Sequence, residues 1–488
     1  MSAPQSAART LAADRDMVSH QLRIWGWNSS QLSGDRAALL LHGAARDDSA
    51  AVQDALRAGR SVVIIRPRDE LCVRFGISMR PDSKGPPAQL RALEWCRADR
   101  PAWDRARQPS LRRHRIRTLH EYSTFQAPNG VPVAVDAESQ AAWMWVPVGT
   151  AGLLLVGTDL AGDLVRYRQG DPAAADGRPK APLWGYPGER PVYLFEAQRS
   201  GEPSYARHAD EWTSFLSDNL CAVTGLTPEE VLPGAARGAI VVTGDDDVAE
   251  AEHYRRQLSV LSDLPVTYFI HDESRHSRAS LDAICERRSV HLGLHPDALD
   301  APALYPEKFS AQRQWFESLT GVPPSMVRNH GFLNDGYWGH LRTWLAHGVR
   351  LSSNLPGFDG TVLNGSLLPG RLAYDGSLTP HWSILTAIGD GVVFVNNWTD
   401  TRAEQCVYDA ADAISSRGLP GVLVLNLHPV NIQKTYGMHA AALELARSGF
   451  VAWNLRDCLE WFERRDGTGE MEDPDRAAAK PQKPEPLQ

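Results

Sequence analysis

Short runs of consecutive apolar residues, most of them closed by Gly, Asp, Asn or His, recur along the second half of the chain and alternate with stretches of helical periodicity. Unbroken apolar runs of this kind read as strands buried on both faces, and their alternation with helices reads as β/α units around a parallel sheet. The predicted strands are Ala239 to Thr243, Val266 to Ile270, Ser289 to Leu294, Met326 to Arg328, Val349 to Ser353, Val392 to Val395, Gly421 to Leu427 and Phe450 to Asn454. Helices are predicted over Val248 to Leu261, Ser280 to Arg287, Ser310 to Leu319, Tyr337 to Ala346, Arg402 to Arg417 and His439 to Ala446. About eight such units in roughly 230 residues is the size of a (β/α) barrel, whose chemistry sits at the carboxyl ends of its strands.

The first half has a different rhythm. An apolar run from Ala37 to Gly43, a helix-like stretch from Asp47 to Ala58 and a buried strand from Ser61 to Ile65 form the β-α-β order of a flavodoxin-like or Rossmann-like α/β domain. Gln89 to Arg105 is helical in pattern. Strands dominate from Arg115 to Gly157, among them Val131 to Val135, Ala141 to Val146 and Gly152 to Gly157. The layout is loosely similar to the glutamine-amidotransferase-like folds, but no Cys nucleophile with a downstream His and no GxGxxG phosphate loop accompanies it. A scaffold or binding role is therefore expected of this half. A Pro/Gly-rich linker over about 170–191 and a connecting helix from about Ser204 to Val223 lead to a boundary near residue 235. The expected division is 1–235, 236–465 for the barrel, and a charged, Pro-rich, disordered tail over 466–488.

The chain has 488 residues and a formal charge of −8, with one dense basic run, Leu111 to Arg117, and no basic cluster interleaved with aromatics, which argues against a nucleic-acid groove. Its six cysteines, Cys72, Cys96, Cys221, Cys285, Cys406 and Cys458, share no CxxC spacing, so free thiols are expected rather than a thiolate metal site or a disulfide framework. No apolar window approaches a membrane span and the first residues lack the apolar core of a signal peptide, so a cytoplasmic protein is expected.

Candidate chemistry gathers at the predicted strand ends. Asp245, Asp246 and Asp247 follow the first barrel strand, His295 the third, Arg328-Asn-His330 the fourth, Asn396-Asn-Trp398 the sixth and His428 the seventh. Three adjacent carboxylates raise one another's pKa unless a cation or hydrogen-bond donors absorb their charge. A solvated loop with one acid capping the next helix is the alternative for the triplet alone, and a packed structural role is the alternative for each His alone. Together at one rim, carboxylates and imidazoles suit a borderline divalent ion such as Zn²⁺, with a further carboxylate and His left over as base and acid.

In ordered set, these motifs resemble those of the polysaccharide deacetylase family (carbohydrate esterase family four), a distorted (β/α) barrel of metal-dependent de-N-acetylases. Val242-Thr-Gly-Asp-Asp-Asp247 is similar to the family's Thr-Phe-Asp-Asp-Gly, and Ser289-Val-His-Leu-Gly-Leu-His-Pro296 to its Gly-His-Glu-Ile-Gly-x-His segment. Met326-Val-Arg-Asn-His-Gly331 and Leu425-Asn-Leu-His-Pro429 are similar to its third and last motifs. The resemblance implies Asp245 as general base, Asp246 or Asp247 with His295 as metal ligands, Arg328 as the residue orienting the base, and His428 as general acid. Leu299 stands where the family has a second ligand His, and a variant pattern within the family implies that His330 takes its place. The likeness spans about Gly238 to Arg464 and says nothing about residues 1–235.

The resemblance implies a metal-dependent hydrolase acting on a small-molecule or oligosaccharide substrate, most simply removing acetyl from an acetamido sugar or a surface-polysaccharide precursor. Trp338, Trp382 and Trp398 are candidate stacking faces for sugar rings. The rival expectation is a catalytically impaired, deacetylase-like carbohydrate-binding or assembly protein. Leu299 favours that rival; Asp245, Arg328 and His428 together disfavour it, because a pure binder has no use for a base, its orienter and a separate acid. Sequence leaves the sugar, the choice between Asp246 and Asp247, and the oligomeric state open.

Overall fold

The apolar runs assemble into two sheets. The computed structural model of the chain describes residues 16–34, 38–81, 88–93, 115–172, 207–274, 276–286, 289–357 and 365–468. Most of the expected linker and nearly all of the expected tail lie outside the described residues, as does most of the helix expected over Gln89 to Arg105.

The first sheet comprises β1 (Leu39–His42), β2 (Val62–Ile65), β3 (Ser78–Pro81), β4 (Ala88–Ala92), β5 (Arg115–Thr118), β6 (Ser123–Gln126), β7 (Val131–Val135), β8 (Ala141–Val148) and β9 (Ala151–Val156). Its order is β1-β2-β9-β8-β7-β4-β5, with β3 and β6 paired beside it. The parallel order expected at the start of this half holds for β1, β2 and β9; the remaining pairings are antiparallel, so the sheet as a whole is mixed. The β8–β9 hairpin explains the switch. Val148 pairs with Ala151 across two residues, and Gly149 at φ 60 supplies the left-handed position that such a turn needs at its first centre. The start of the expected Gln89 helix is instead strand β4, paired with β5 and β7.

The second sheet comprises β10 (Gly238–Asp245), β11 (Val266–Ile270), β12 (Val290–Leu294), β13 (Met326–Val327), β14 (Leu351–Pro356), β15 (Gly370–Tyr374), β16 (Ser377–Thr386), β17 (Ile388–Gly389), β18 (Val422–Asn426) and β19 (Phe450–Trp453). All pairings are parallel except the β15–β16 hairpin. Only Ala387 separates β16 from β17, and its N–H donates to Val424 O at 2.9 Å. One continuous strand thus pairs β14 on one side and β18 on the other, which closes the sheet into a ring.

This strand corrects the sequence reading. Val392 to Val395, expected as a strand, lies in a short helix, Gly391–Val395, that leaves Phe394 and Val395 largely exposed. The true sixth strand contains Pro380 and His381 within Ser377–Thr386, and a Pro inside a run masks a strand when only pattern is read. Asn396 and Trp398 therefore do not sit at a strand end, and Asp390 does.

The halves are joined by buried polar contacts. A helix over 16–24 lies against the last helix, Leu455–Asp466, with Ile24 and Trp25 in the same apolar cluster as Leu455, Leu459 and Phe462. His20 Nδ1 donates to Asp466 Oδ1 at 2.9 Å, while its Nε2 accepts from the Arg371 N–H at 2.9 Å. Asp466 also accepts from Arg23 and Arg371, and the last helix reaches this first residue of the expected tail before Gly467 caps it at φ 72. Elsewhere Arg168 donates to Ser366 Oγ and Leu368 O, and Arg207 to Leu419 O and Pro420 O. Among the described residues, no helix is long and apolar enough to cross a membrane, and the cysteines are free.

The His20 geometry has a pH consequence. Both ring nitrogens are committed in the neutral form, and burial, partly offset by Asp466, lowers the ring from 6.5 to about 4. The unfolded chain then binds the extra proton first, so stability falls as pH drops from about 6.5 to about 4. Buried His381, lowered to about 4, adds the same sign. Chemical unfolding at stepped pH should show this acid slope, and His20→Asn should be less stable at pH 7 yet have a shallower slope. An unchanged slope would remove His20 as a contributor.

Candidate active site

Strand alternation separates the three consecutive carboxylates. Asp245 is the last residue of β10 and points into the ring, where its Oδ1 accepts from Arg328 Nη1 at 2.8 Å and its Oδ2 from Asn426 Nδ2 at 2.7 Å. Asp246 falls on the opposite face, as a period of two requires, and its Oδ1 accepts from the Tyr254 hydroxyl at 2.6 Å beneath helix Ala251–Leu261. Asp247 then takes φ 39, a left-handed position that Asp tolerates better than most residues, and this breaks the alternation. Its carboxylate turns to the rim.

There it meets the histidines. Asp247 Oδ1 lies 3.3 Å from His295 Nε2 and 3.8 Å from His330 Nε2, and the three ligand atoms fall within 4.8 Å of one another. His295 Nδ1 contacts the Arg328 carbonyl at 2.6 Å; a carbonyl can only accept, so Nδ1 carries a proton, and in the neutral ring the Nε2 lone pair faces Asp247. His330 Nδ1 lies 3.1 Å from Asp297 Oδ2, outside hydrogen-bond geometry, and the carboxylate's charge favours the same tautomer. A second group, His271 with Asp297 and His330, meets the same distance limit. The hydrogen bonds decide between them, because the Glu273 N–H donates to His271 Nδ1 at 3.1 Å and leaves the His271 proton on Nε2, turned toward Asp297.

Asp247 Oδ1 and His295 Nε2 are shielded from solvent and, among the described residues, have no hydrogen-bond partner. With the His295 ring neutral, two acceptors face each other in a buried rim and are destabilised unless a cation lies between them, so this donor set fits a divalent metal. Burial opposes ionisation of Asp247, but His295, His428 and His330 outweigh it and hold the carboxyl far below its usual range. Asp297 behaves likewise, with the nearby His271 and His330 rings and a hydrogen bond from the Leu299 N–H overcoming its burial.

The remaining groups flank this cluster. Arg328 is fully buried and also donates from Nε to Ser353 O at 3.1 Å and from Nη2 to Thr243 Oγ1 at 2.8 Å, with its guanidinium over the Phe269 ring at 4.5 Å. Burial raises the carboxyl of Asp245, but Arg328, His295 and His428 more than offset it, so the group is held ionised. His428 Nδ1 donates to Asp390 Oδ1 at 2.6 Å, and its Nε2 lies 3.7 Å from Asp245 Oδ2 and 3.5 Å from Asp247 Oδ2. Burial disfavours charge on this ring, yet Asp390, then Asp245 and Asp247, push it up to about 10.

Of the residues singled out from sequence, Asp245, Asp247, His295, Arg328, His330 and His428 converge, whereas Asp246 does not join them. Its carboxylate sits with Tyr254 and His276 on the far side of the strand. Leu299 is packed in the apolar core and offers no ligand. Trp338 and Trp382 are also buried, and the Trp338 Nε1–H donates to Gln169 O, so neither presents a stacking face. Trp398 is partly buried beneath Arg402. Sequence reading missed Asp297 and Asp390. Asp297 lies two residues after His295, in His-Pro-Asp, and Asp390 closes a strand whose pattern Pro380 obscures.

No family model matches the sequence, and no curated protein matches it. Solved structures of polysaccharide deacetylases match about half of the chain. A Mycobacterium smegmatis protein assigned as a polysaccharide deacetylase is 16% identical over 48% of this chain and 93% of its own, with a TM-score of 0.39. A family 4 carbohydrate esterase from Streptomyces lividans is 12% identical over 44% of this chain and 92% of its own, with a TM-score of 0.31. A family 4 pseudoenzyme from Bacillus anthracis is 12% identical over 46% of this chain and 66% of its own, also with a TM-score of 0.31.

Arg328→Met tests the charge balance of the site. It leaves the Asp245 carboxylate buried without its cation, a change that costs about 3–5 kcal/mol. Denaturant unfolding should register a loss of that order; a loss below about 1 kcal/mol would mean that Asn426 alone satisfies Asp245.

Proposed function

We propose that the chain is a metal-dependent hydrolase that removes an acyl group from an amide, with the acetyl of an acetamido sugar as its substrate class. The observation that supports this best is the pairing of a carboxylate–imidazole cluster with two separately held proton-transfer groups at one rim. Asp247, His295 and His330 would hold the metal, and one carboxylate with two imidazoles suits Zn²⁺ or a similar borderline ion. When bound, such an ion polarises the amide carbonyl and makes water more acidic.

The chain's own residues supply the rest. Asp245, ionised and oriented by Arg328 and Asn426, is suited to take a proton from water at the rim. His428, held by Asp390 and protonated at neutral pH, is suited to give a proton to the departing amine through Nε2. Asp297 and the Arg328 carbonyl keep His330 and His295 in the ligating tautomer. In the same proposal, residues 236–465 form the catalytic barrel and residues 1–235 a separate unit that adds no catalytic group.

His295→Ala and His330→Ala should each abolish tight metal binding with the fold retained, and Asp297→Asn should weaken it about 10- to 100-fold. Asp246→Asn should leave metal content unchanged. Elemental analysis reads all four, and full metal in His330→Ala would return that residue to a packing role. Asp245→Asn should keep the metal and lose about two to four orders of magnitude in acetate release from acetamido sugars. A metal-loaded wild type that releases no acetate from free, nucleotide-linked or oligomeric acetamido sugars would instead make the chain a carbohydrate-binding protein.

A further inference from the structure

The first sheet carries a feature that the barrel chemistry does not use. A cleft of about 470 Å³ opens at the carboxyl ends of the parallel strands β1, β2 and β9, lined by His42, Arg66, Arg68, Asp69, Glu121 and Gly157 among others. In open α/β sheets, ligands bind beyond the carboxyl ends of the parallel strands. Gly157 and Ser123 both line the cleft, and they pack so closely that a Cβ on Gly157 would stand 2.1 Å from Ser123 O.

Two of the polar groups in the cleft are unspent, those of His42 and Arg68. Both ring nitrogens of His42 are shielded from solvent and, among the described residues, neither has a hydrogen-bond partner. Burial lowers the pKa of this ring, so it offers one donor and one acceptor. Arg66 holds φ 50 at the end of β2, a conformation uncommon for a residue with a side chain, and its Nη1 donates to Asp159 Oδ2 at 2.8 Å. Backbone strain of this kind is retained where the surrounding structure requires one side-chain direction. The Arg68 guanidinium is exposed and, among the described residues, takes part in no hydrogen bond or ion pair.

We propose that this cleft is a second ligand site, which takes a small phosphorylated sugar, with Arg66 and Arg68 on the phosphate and His42, Asp69 and Glu121 on hydroxyl groups. Arg68 provides an uncommitted charge for one anionic group, and Arg66, which donates from Nη1 to Asp159, offers its remaining N–H groups to the same group. The two carboxylates beside them repel a polyanion but accept hydrogen bonds from hydroxyls, and neutral His42 both gives and accepts one. That combination selects a molecule with one phosphate and several hydroxyls over inorganic phosphate, a neutral sugar or a nucleic acid.

Calorimetric titration of the full-length, chelator-treated His295→Ala protein isolates this cleft from the barrel rim, so the result is independent of the hydrolase reading. The probes are hexose 1-phosphates, hexose 6-phosphates, N-acetylglucosamine 1-phosphate, free N-acetylglucosamine and inorganic phosphate. At least one phosphosugar should bind tenfold or more tightly than both the free sugar and phosphate. Arg68→Gln and His42→Ala should each weaken that binding at least tenfold, and in the wild-type background each should leave metal content unchanged. The proposal is overturned if no phosphosugar binds, if inorganic phosphate binds as tightly as the best of them, or if neither substitution changes the affinity.

Discussion

The second sheet depends on one buried cation. Arg328 is fully enclosed, and a guanidinium in that setting is tolerated only if nearly every N–H finds an acceptor and a carboxylate balances its charge. Those acceptors come from β10 (Asp245 and Thr243), β14 (Ser353) and β16 (Thr386), so the ion ties together strands on different sides of the ring. The carbonyl of the same residue receives the His295 Nδ1 proton. The side chain that settles the charge of Asp245 and the backbone that aims His295 therefore belong to one residue, and neither arrangement can shift without the other.

The same logic repeats around the rim. Each imidazole that faces inward has its outer nitrogen assigned by an acceptor: Arg328 O for His295, Asp297 for His330 and Asp390 for His428. The acceptors differ in charge, and so do the consequences. A neutral carbonyl only orients His295, whereas Asp390 lies in hydrogen-bond contact with His428 and stabilises its charged form. His271 shows the opposite outcome, since a backbone N–H occupies its Nδ1 and turns its Nε2 proton toward Asp297. Ring proximity alone does not distinguish a ligand from a donor, but the partner of the second nitrogen does.

The first half reaches the rim indirectly. Gln169, the last residue of helix Leu160–Gln169, exchanges hydrogen bonds with the Ala373 backbone and accepts from the Trp338 indole, which lies a few residues beyond His330 along the chain. Together with the His20–Asp466 contact and the Arg168 and Arg207 hydrogen bonds, this places charged and polar groups of one half in the interior of the other. Buried polar contacts of this type are costly to expose, so the relative position of the sheets is set by specific partners as well as by apolar area.

Sequence by itself determined the elements that periodicity and residue chemistry specify locally: most barrel strands, most of the intervening helices, and the residues Asp245, His295, Arg328, His330 and His428 at strand ends. These were legible because a buried parallel strand is an unbroken apolar run and because polar residues directly after such a run emerge at one rim. It did not reveal the sixth strand, since Pro380 and His381 interrupt its pattern while Gly391–Val395 imitates a strand with residues that the fold leaves exposed. Only the tertiary structure separated Asp246 from Asp247, because a single left-handed residue reverses the direction that strand alternation assigns. Only it brought in Asp297 and Asp390, whose significance lies in a second histidine nitrogen reached across the fold, a relation that no spacing along the chain encodes.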